Sequence, residues 1–233
     1  ILDTFTELTA ELTAELTARK KQYEYYRNEL LTFGDEIERI TLEELCNIRN
    51  GYTPSKSNTE YWSNGSIPWF RMEDIRENGR ILSSAIQQVS ANAIKGSPFS
   101  ANSLIIATSA TIGEHALITC EFLANQRFTV LSLKNKFKNV NIKYLFYYCF
   151  TLDKWSKENL TLGHFASVDM KAFRKFLIPI PSLDEQVRIV SILDRFDTLC
   201  NDITTGLPAE IEARKKQYEY YRDKLLSFPE AKA

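Results

Sequence analysis

Apolar residues recur every three or four positions at both ends of the chain, and in short or alternating runs through its middle. Phe5, Leu8, Leu12, Leu16, Tyr23, Tyr26, Leu30 and Phe33 fall on one stripe of a helix. Phe196, Leu199, Ile203, Leu207, Ile211, Tyr218, Tyr221, Leu225 and Phe228 fall on a second. The two stripes belong to a repeat: residues 18–33 recur almost unchanged as 213–228, both carrying Gln-Tyr-Glu-Tyr-Tyr-Arg, and residues 1–5 match 192–196. The second copy is longer by about one helical turn, the insertion that a helix absorbs with least disturbance of its apolar face. Within the first copy the unit Glu-Leu-Thr-Ala stands at 7–10, 11–14 and 15–18, and leucines four apart advance about 40° per unit, so the seam winds. Gly206 and Pro208 interrupt the second copy and predict a kink or break near 206–208, proline being suited to the first turn of a new helix. Two such helices can lie antiparallel as a stem of roughly 50 Å, a length fit for a spacer.

Between the stripes, residues 103–108, 115–119 and 128–133 read as strands, 142–155 as a helix and 169–173 as a short one. Turn-forming residues crowd 49–57 and 63–68, and Pro179 and Pro181 make 177–182 an extended exit segment. The expected fold class is α+β. One globular mixed α/β domain (35–182) is flanked by two long helices (1–34 and 183–233) that form an antiparallel coiled-coil stem.

The chain has 233 residues, a net charge of −1 and 25% charged residues, enough for a sizeable core and unlike a disordered or low-complexity segment. The neutral total hides a basic middle: residues 50–182 carry 15 Lys and Arg against 9 Asp and Glu, compatible with phosphate binding and equally with a solvated face. Cys46, Cys120, Cys149 and Cys200 lie far apart, which suggests lone buried thiols in a reducing compartment. No apolar run approaches the roughly 20 residues that span a bilayer, and Asp3 and Glu7 interrupt what would have to be a secretory signal. The expectation is a cytoplasmic protein.

Catalytic signatures are absent. No phosphate-cradling GxxxxGK[ST] loop, GxGxxG turn, GxSxG elbow or HExxH helix is present. The histidines are His115, expected at a strand edge without evident triad partners, and His164. Glu73 and Asp74 are the carboxylates from which a metal-dependent nuclease would be built, and adjacent acids in loops are common. An Asn/Asp-Pro-Pro-aromatic motif of adenine methylation is also missing.

Gly51-Tyr-Thr-Pro-Ser-Lys56, followed by Glu60-Tyr-Trp-Ser-Asn-Gly-Ser-Ile-Pro-Trp-Phe-Arg-Met-Glu-Asp-Ile75, resembles the opening of the target recognition domain of type I restriction–modification specificity subunits. Thr108-Ser-Ala-Thr-Ile-Gly113 and Leu123-Ala-Asn-Gln-Arg-Phe128 are similar to its central signature. The segment 179–194 resembles the junction into the conserved helix, and the Glu-Leu-Thr-Ala units resemble a spacer repeat of one subgroup. The resemblance covers nearly the whole chain in the family's order. A full subunit carries two recognition domains, whereas this chain has one, so it looks like a C-terminal half or a half-size form whose copies could pair about a two-fold axis. The resemblance implies a non-catalytic chain that reads one half of a bipartite double-stranded DNA target and scaffolds modification (methyltransferase) and restriction subunits. It implies no cofactor on this chain; S-adenosylmethionine, ATP and Mg are expected on the partner subunits. The stem would act as a ruler, since one four-residue unit adds about 6 Å of helix. A helical adaptor that binds protein without DNA specificity is the alternative.

Candidate DNA contacts are side chains able to reach base edges or phosphates from loops. Thr53, Lys56 and Ser57 lie on one polar loop, for which solvation is the plain alternative. Arg71 suits guanine, or an ion pair with Glu73. Thr108, Ser109 and Thr111 offer hydroxyls, or merely a structural turn before Gly113. Gln126 and Arg127 precede a strand and could instead be packing polar groups. His164 and Ser167 flank Phe165, a wedge or a core plug. On the helices Arg19, Lys20, Lys21, Arg214, Lys215 and Lys216 are solvated or interhelical cations, or contacts to a partner subunit, and Tyr25 and Tyr220 sit off the stripe, free to face one.

Overall fold

The computed structural model describes residues 2–161, 166–202 and 204–227. It divides into two compact units, one of residues 1–32 with 191–233 and one of residues 33–190.

The first unit is helical. Helix α1 (Leu2–Leu30) is continuous, and its Glu-Leu-Thr-Ala threonines turn inward on the backbone: Thr9, Thr13 and Thr17 donate to the carbonyls of Phe5, Thr9 and Thr13. The chain returns through the later part of α6 (Leu183–Asn201) and then α7 (Leu207–Leu226). Between these helices the Asp202 carboxylate accepts from the backbone N–H and the hydroxyl of both Thr204 and Thr205, and Pro208 occupies the first turn of α7.

Ring stacking gives the direction of pairing. Phe5 stacks on Tyr221 at 5.5 Å and Tyr26 on Phe196 at 5.5 Å, so α1 runs antiparallel to the returning strand of helix. Phe5 corresponds to Phe196, and Tyr26 to Tyr221, within the repeat. The two contacts are therefore one contact made twice, and the helix pair has an internal two-fold relation. Tyr23 and Ile211 are buried, whereas Leu199 and Leu225, expected on the stripe, stand 37% and 52% exposed. Ile203 and Phe228, also placed on the stripe, lie outside the described residues. Phe33 does not belong to the stem: α1 ends at Leu30, and Phe33 packs edge-on against Tyr144 in the other unit.

The second unit comprises β1 (Arg39–Thr41), α2 (Leu42–Leu45), β2 (Cys46–Asn50), β3 (Ile67–Phe70), α3 (Met72–Asn78), β4 (Ile81–Leu82), β5 (Gln88–Val89), β6 (Ser103–Ala107), β7 (His115–Ile118), β8 (Leu123–Ala124), β9 (Phe128–Leu133), α4 (Ile142–Glu158), β10 (Leu160–Thr161), β11 (Ser167–Val168), α5 (Met170–Arg174), β12 (Leu177–Pro179) and the start of α6. Among the described residues the main sheet has the order β2-β9-β6-β7-β4, antiparallel except for the β7–β4 pair. A smaller sheet, β5-β3-β8, pairs β3 with β8 in parallel.

Every residue of β6 and β7 is buried, which accounts for their near-continuous apolar sequence. Ile105, Ala107, Ala116 and Ile118 face a core with Phe70, Phe99, Phe122 and Phe128, while α4 packs against β7. The entry and exit of the unit are tied together, β1 to β12, with Ile40 opposite Ile178. Gln186 at the start of α6 is buried, accepting from the Asn141 N–H and donating to the Pro181 carbonyl, which is why the globular unit extends beyond the prolines to Val190. Among the described residues no helix is long and apolar enough to cross a membrane.

Candidate nucleic-acid interface

The globular unit carries a cleft of about 860 Å³ at the meeting of loops far apart in sequence. Thr53, Lys56, Arg71, Thr111, Gln126 and Arg127, all singled out from the sequence, line it together. Lys56, Arg71, Arg76 and Arg127 face it, against Glu73 as the carboxylate among the lining side chains.

Each wall has its own local cause. Residues 52–57 are held by two indoles: Trp69 donates from Nε1 to the Tyr52 carbonyl and Trp62 to that of Ser55, both at 3.0 Å, and the two rings meet edge to face at 5.0 Å. The next wall is the turn 125–127. Asn125 accepts from the Arg127 N–H through its side chain (3.0 Å) and from the Phe128 N–H through its carbonyl (3.0 Å), leaving Gln126 and Arg127 exposed at the tip. Thr53 and Gln126 hydrogen-bond across the gap and join these walls. They approach so closely that a Cβ on Gly51 would come 2.3 Å from the Asn125 carbonyl oxygen and 2.4 Å from that of Ala124, so glycine is required there.

Arg71 sits at the N-cap of α3, placed by a fully buried carboxylate. Asp74 accepts from the Arg71 N–H at 2.7 Å and from the Ile86 N–H at 2.6 Å. The Arg71 guanidinium lies 5.6 Å from the Trp69 ring centroid and 4.0 Å from Glu73. Glu73 and Asp74 therefore do not act as a metal-binding pair: one oxygen set is consumed by backbone donors, the other faces a cation. Among the described residues no cluster of three or more His, Cys, Asp or Glu side chains could hold a metal.

The remaining sequence-derived candidates fall elsewhere. Ser57 pairs with Ser55 at 2.8 Å beside the cleft. Thr108 is half-buried and its hydroxyl meets that of Thr129 at 3.0 Å, a structural use. Ser109 bridges Ser167, whose hydroxyl in turn meets Thr161 at 2.8 Å. His164 and Phe165 lie outside the described residues. His115 is not at an exposed edge. It opens β7 between β6 and β4, fully buried, with Nδ1 2.5 Å from Asp153 of α4, a partner 38 residues away in the chain.

On the helical unit, Arg19 and Arg214 bond within their own helices, to Glu15 and Gln22 and to Glu210 and Gln217. Lys216 lies 3.7 Å from Glu212 of its own helix, while Lys20, Lys21 and Lys215 are exposed. Tyr25 and Tyr220 are each 61% exposed and each sit edge-on to the neighbouring Tyr26 or Tyr221, the same arrangement in both copies of the repeat.

Trp62, Arg76 and Asn125 were missed as cleft residues. Arg76 was findable, since its helical spacing puts it one turn beyond Met72, near Arg71. Asn125 shapes the turn, its side-chain oxygen accepting from the Arg127 N–H two residues on, a use that asparagine is chemically suited to.

A family model described as the type I restriction modification DNA specificity domain matches residues 34–213. The type I restriction enzyme EcoprrI specificity subunit of Escherichia coli is 56% identical over 211 residues, which cover 87% of this chain and 53% of the relative. A putative type I specificity subunit of Mycoplasma pneumoniae is 31% identical over 98% of this chain and 81% of its own length. The chain thus spans about half the length of the E. coli relative. The fold is shared with the HsdS subunit of Thermoanaerobacter tengcongensis, at a TM-score of 0.64 and 16% identity, over 96% of this chain and 55% of that one. The chain belongs to the type I restriction–modification DNA specificity family.

Proposed function

We propose that this chain is the DNA-reading part of a type I restriction–modification complex, recognising one half of a bipartite double-stranded target without chemistry of its own. The observation that carries the reading is the cleft: four separate stretches of chain bring Lys56, Arg71, Arg76 and Arg127 to one concave surface, with Thr53, Thr111 and Gln126 beside them. Cations of this kind neutralise phosphates, and arginine and glutamine are the side chains that read guanine and adenine edges. The helical unit serves as the spacer and as the seat for modification subunits, the repeated Tyr25–Tyr26 and Tyr220–Tyr221 pairs offering equivalent aromatic surfaces to them. Methyl transfer from S-adenosylmethionine and ATP- and Mg-dependent restriction belong on partner subunits, in the cytoplasm. Two copies of the chain would pair to supply both half-sites.

Co-expression with a modification subunit, followed by genome-wide mapping of methylated adenine, tests this. The expected result is a bipartite motif, symmetric if two copies pair. Modification subunit retained on the chain with no preferred motif would overturn the DNA-reading function and leave a protein adaptor.

A further inference from the structure

The connection between β6 and β7 holds a backbone conformation that its sequence does not favour. Ala110 has φ +63°, in the left-handed region that a Cβ disfavours, and Gly113 has φ +90°. Strain of this kind persists only where surrounding structure over-determines it. Here both limbs of the turn are anchored. On the ascending side Thr108 donates to the Arg127 carbonyl and accepts from the Val168 N–H, both at 3.0 Å, and Ser109 bridges Ser167. Across the base, Ala107 donates to the Glu114 carbonyl at 2.7 Å and accepts from the Gly113 N–H at 2.9 Å.

The descending side rests on one residue of α4. Gly113 packs so closely on the Asp153 carbonyl that a Cβ would lie 2.8 Å from its oxygen. Two residues on, His115 bonds the Asp153 side chain at 2.5 Å. The imidazole is wedged between Phe146 and Phe150, with ring centroids at 5.1 and 4.6 Å, and Arg80 donates to the His115 carbonyl at 3.0 Å. Replacing a buried ionisable pair by well-packed apolar side chains is often neutral or stabilising, so stability alone does not account for this one. Directly above this pair, the same turn carries Thr111 to the cleft.

We propose that Asp153 and His115 are positioning residues for base discrimination, locking the strained 108–113 turn from below so that Thr111 and its neighbours meet DNA in one conformation. This rests on the DNA-reading function proposed above. A rigid reading turn rejects a wrong base because it cannot rearrange to satisfy it, whereas a relaxed turn adapts and loses selectivity before it loses affinity.

The test uses the full chain in complex with the modification subunit, and anisotropy titrations against the mapped target and its single-base variants. Ala110→Gly removes the conformational penalty and Asp153→Ala the lower anchor, while Asp153→Asn can still accept from His115 Nδ1. For Ala110→Gly and Asp153→Ala the ratio of target to variant affinity falls about tenfold at a subset of positions, within the range that one base pair commands. Asp153→Asn keeps that ratio within about threefold of wild type. A merely structural role instead lowers the unfolding temperature of Asp153→Ala, raises that of Ala110→Gly and leaves every ratio at the wild-type value, which overturns the inference. Should Asp153→Ala not fold, His115→Phe, which removes the same hydrogen bond, is read in its place with the same tenfold fall expected. A wild-type complex with no preferred base anywhere overturns the DNA-reading function and this inference with it, whereas wild-type selectivity retained in the variants removes this inference only.

Discussion

Removing the carboxylate of Asp74 isolates the energetics of the cleft wall. Its side chain is fully buried, and both oxygens accept a backbone N–H, from Arg71 at 2.7 Å and Ile86 at 2.6 Å. Hydrogen bonds to a charged acceptor contribute roughly 1.5–3 kcal/mol net, and each stranded buried donor costs about 1–3 kcal/mol. Ile86 is 51% exposed, so water can reach its N–H after truncation, whereas Arg71 is only half-buried at the cap and keeps partial access. Asp74→Ala should therefore destabilise the globular unit by about 2–4 kcal/mol, the lower part of the roughly 2–6 kcal/mol that two fully stranded donors would cost. Asp74→Asn should be intermediate, because one oxygen remains and the amide nitrogen opposes the other N–H. Urea unfolding followed by tryptophan fluorescence suits the measurement, since Trp62 and Trp69 sit in the same cleft. The loss of the cap also frees Arg71, so the DNA affinity proposed for the cleft should fall along with stability. A change in stability below about 0.5 kcal/mol for Asp74→Ala, within the range of an ordinary surface substitution, would refute the assignment of this carboxylate as a backbone clamp.

Three further outcomes are expected. Arg76→Ala and Arg127→Ala should each lower the slope of log affinity against log salt by about one if they contact phosphates, and unchanged slopes would remove them from the interface. The hydroxyls and N–H groups of Thr204 and Thr205 hold the Asp202 carboxyl well below the usual carboxylate range. A depressed folded-state value means stability that is present above the unfolded pKa and lost as pH falls toward the folded one, so Asp202→Asn should flatten the acid limb of thermal stability for the helical unit and leave neutral pH less stable than wild type. Burial pushes the Cys46 thiol up to about 12 and the fully buried Cys149 well above its ordinary value, so iodoacetamide at pH 8 should label the partly buried Cys120 in the native protein ahead of either, as peptide mass mapping would show.

Much of the architecture was legible in the residue pattern because it depends on local periodicity. The strands over 103–107, 115–118 and 128–133, the helix from Ile142 and the interruption before Leu207 each rest on side-chain spacing or a proline that acts on its own neighbours. Helix α1 and its partner were recognisable as a repeat, and the antiparallel contact follows from the repeated aromatic residues. Several residues that line the cleft were also legible, since Arg, Lys, Thr and Gln on turn-rich segments are chemically suited to DNA wherever they stand.

What the one-dimensional pattern could not supply was the meeting of those segments. Thr53 reaches Gln126 across 73 residues, Arg71 is aimed by a carboxylate whose second bond goes to Ile86, and His115 finds Asp153 only when α4 packs on β7. The same side chains were equally plausible as solvated loop residues, and Thr108 did turn out to spend its hydroxyl on Thr129. Local sequence determines which elements form, because their hydrogen bonds and apolar faces repeat over a few residues. Which polar groups end up satisfied inside the protein and which remain free for a ligand is decided by packing between distant elements, and that is a property of the tertiary structure alone.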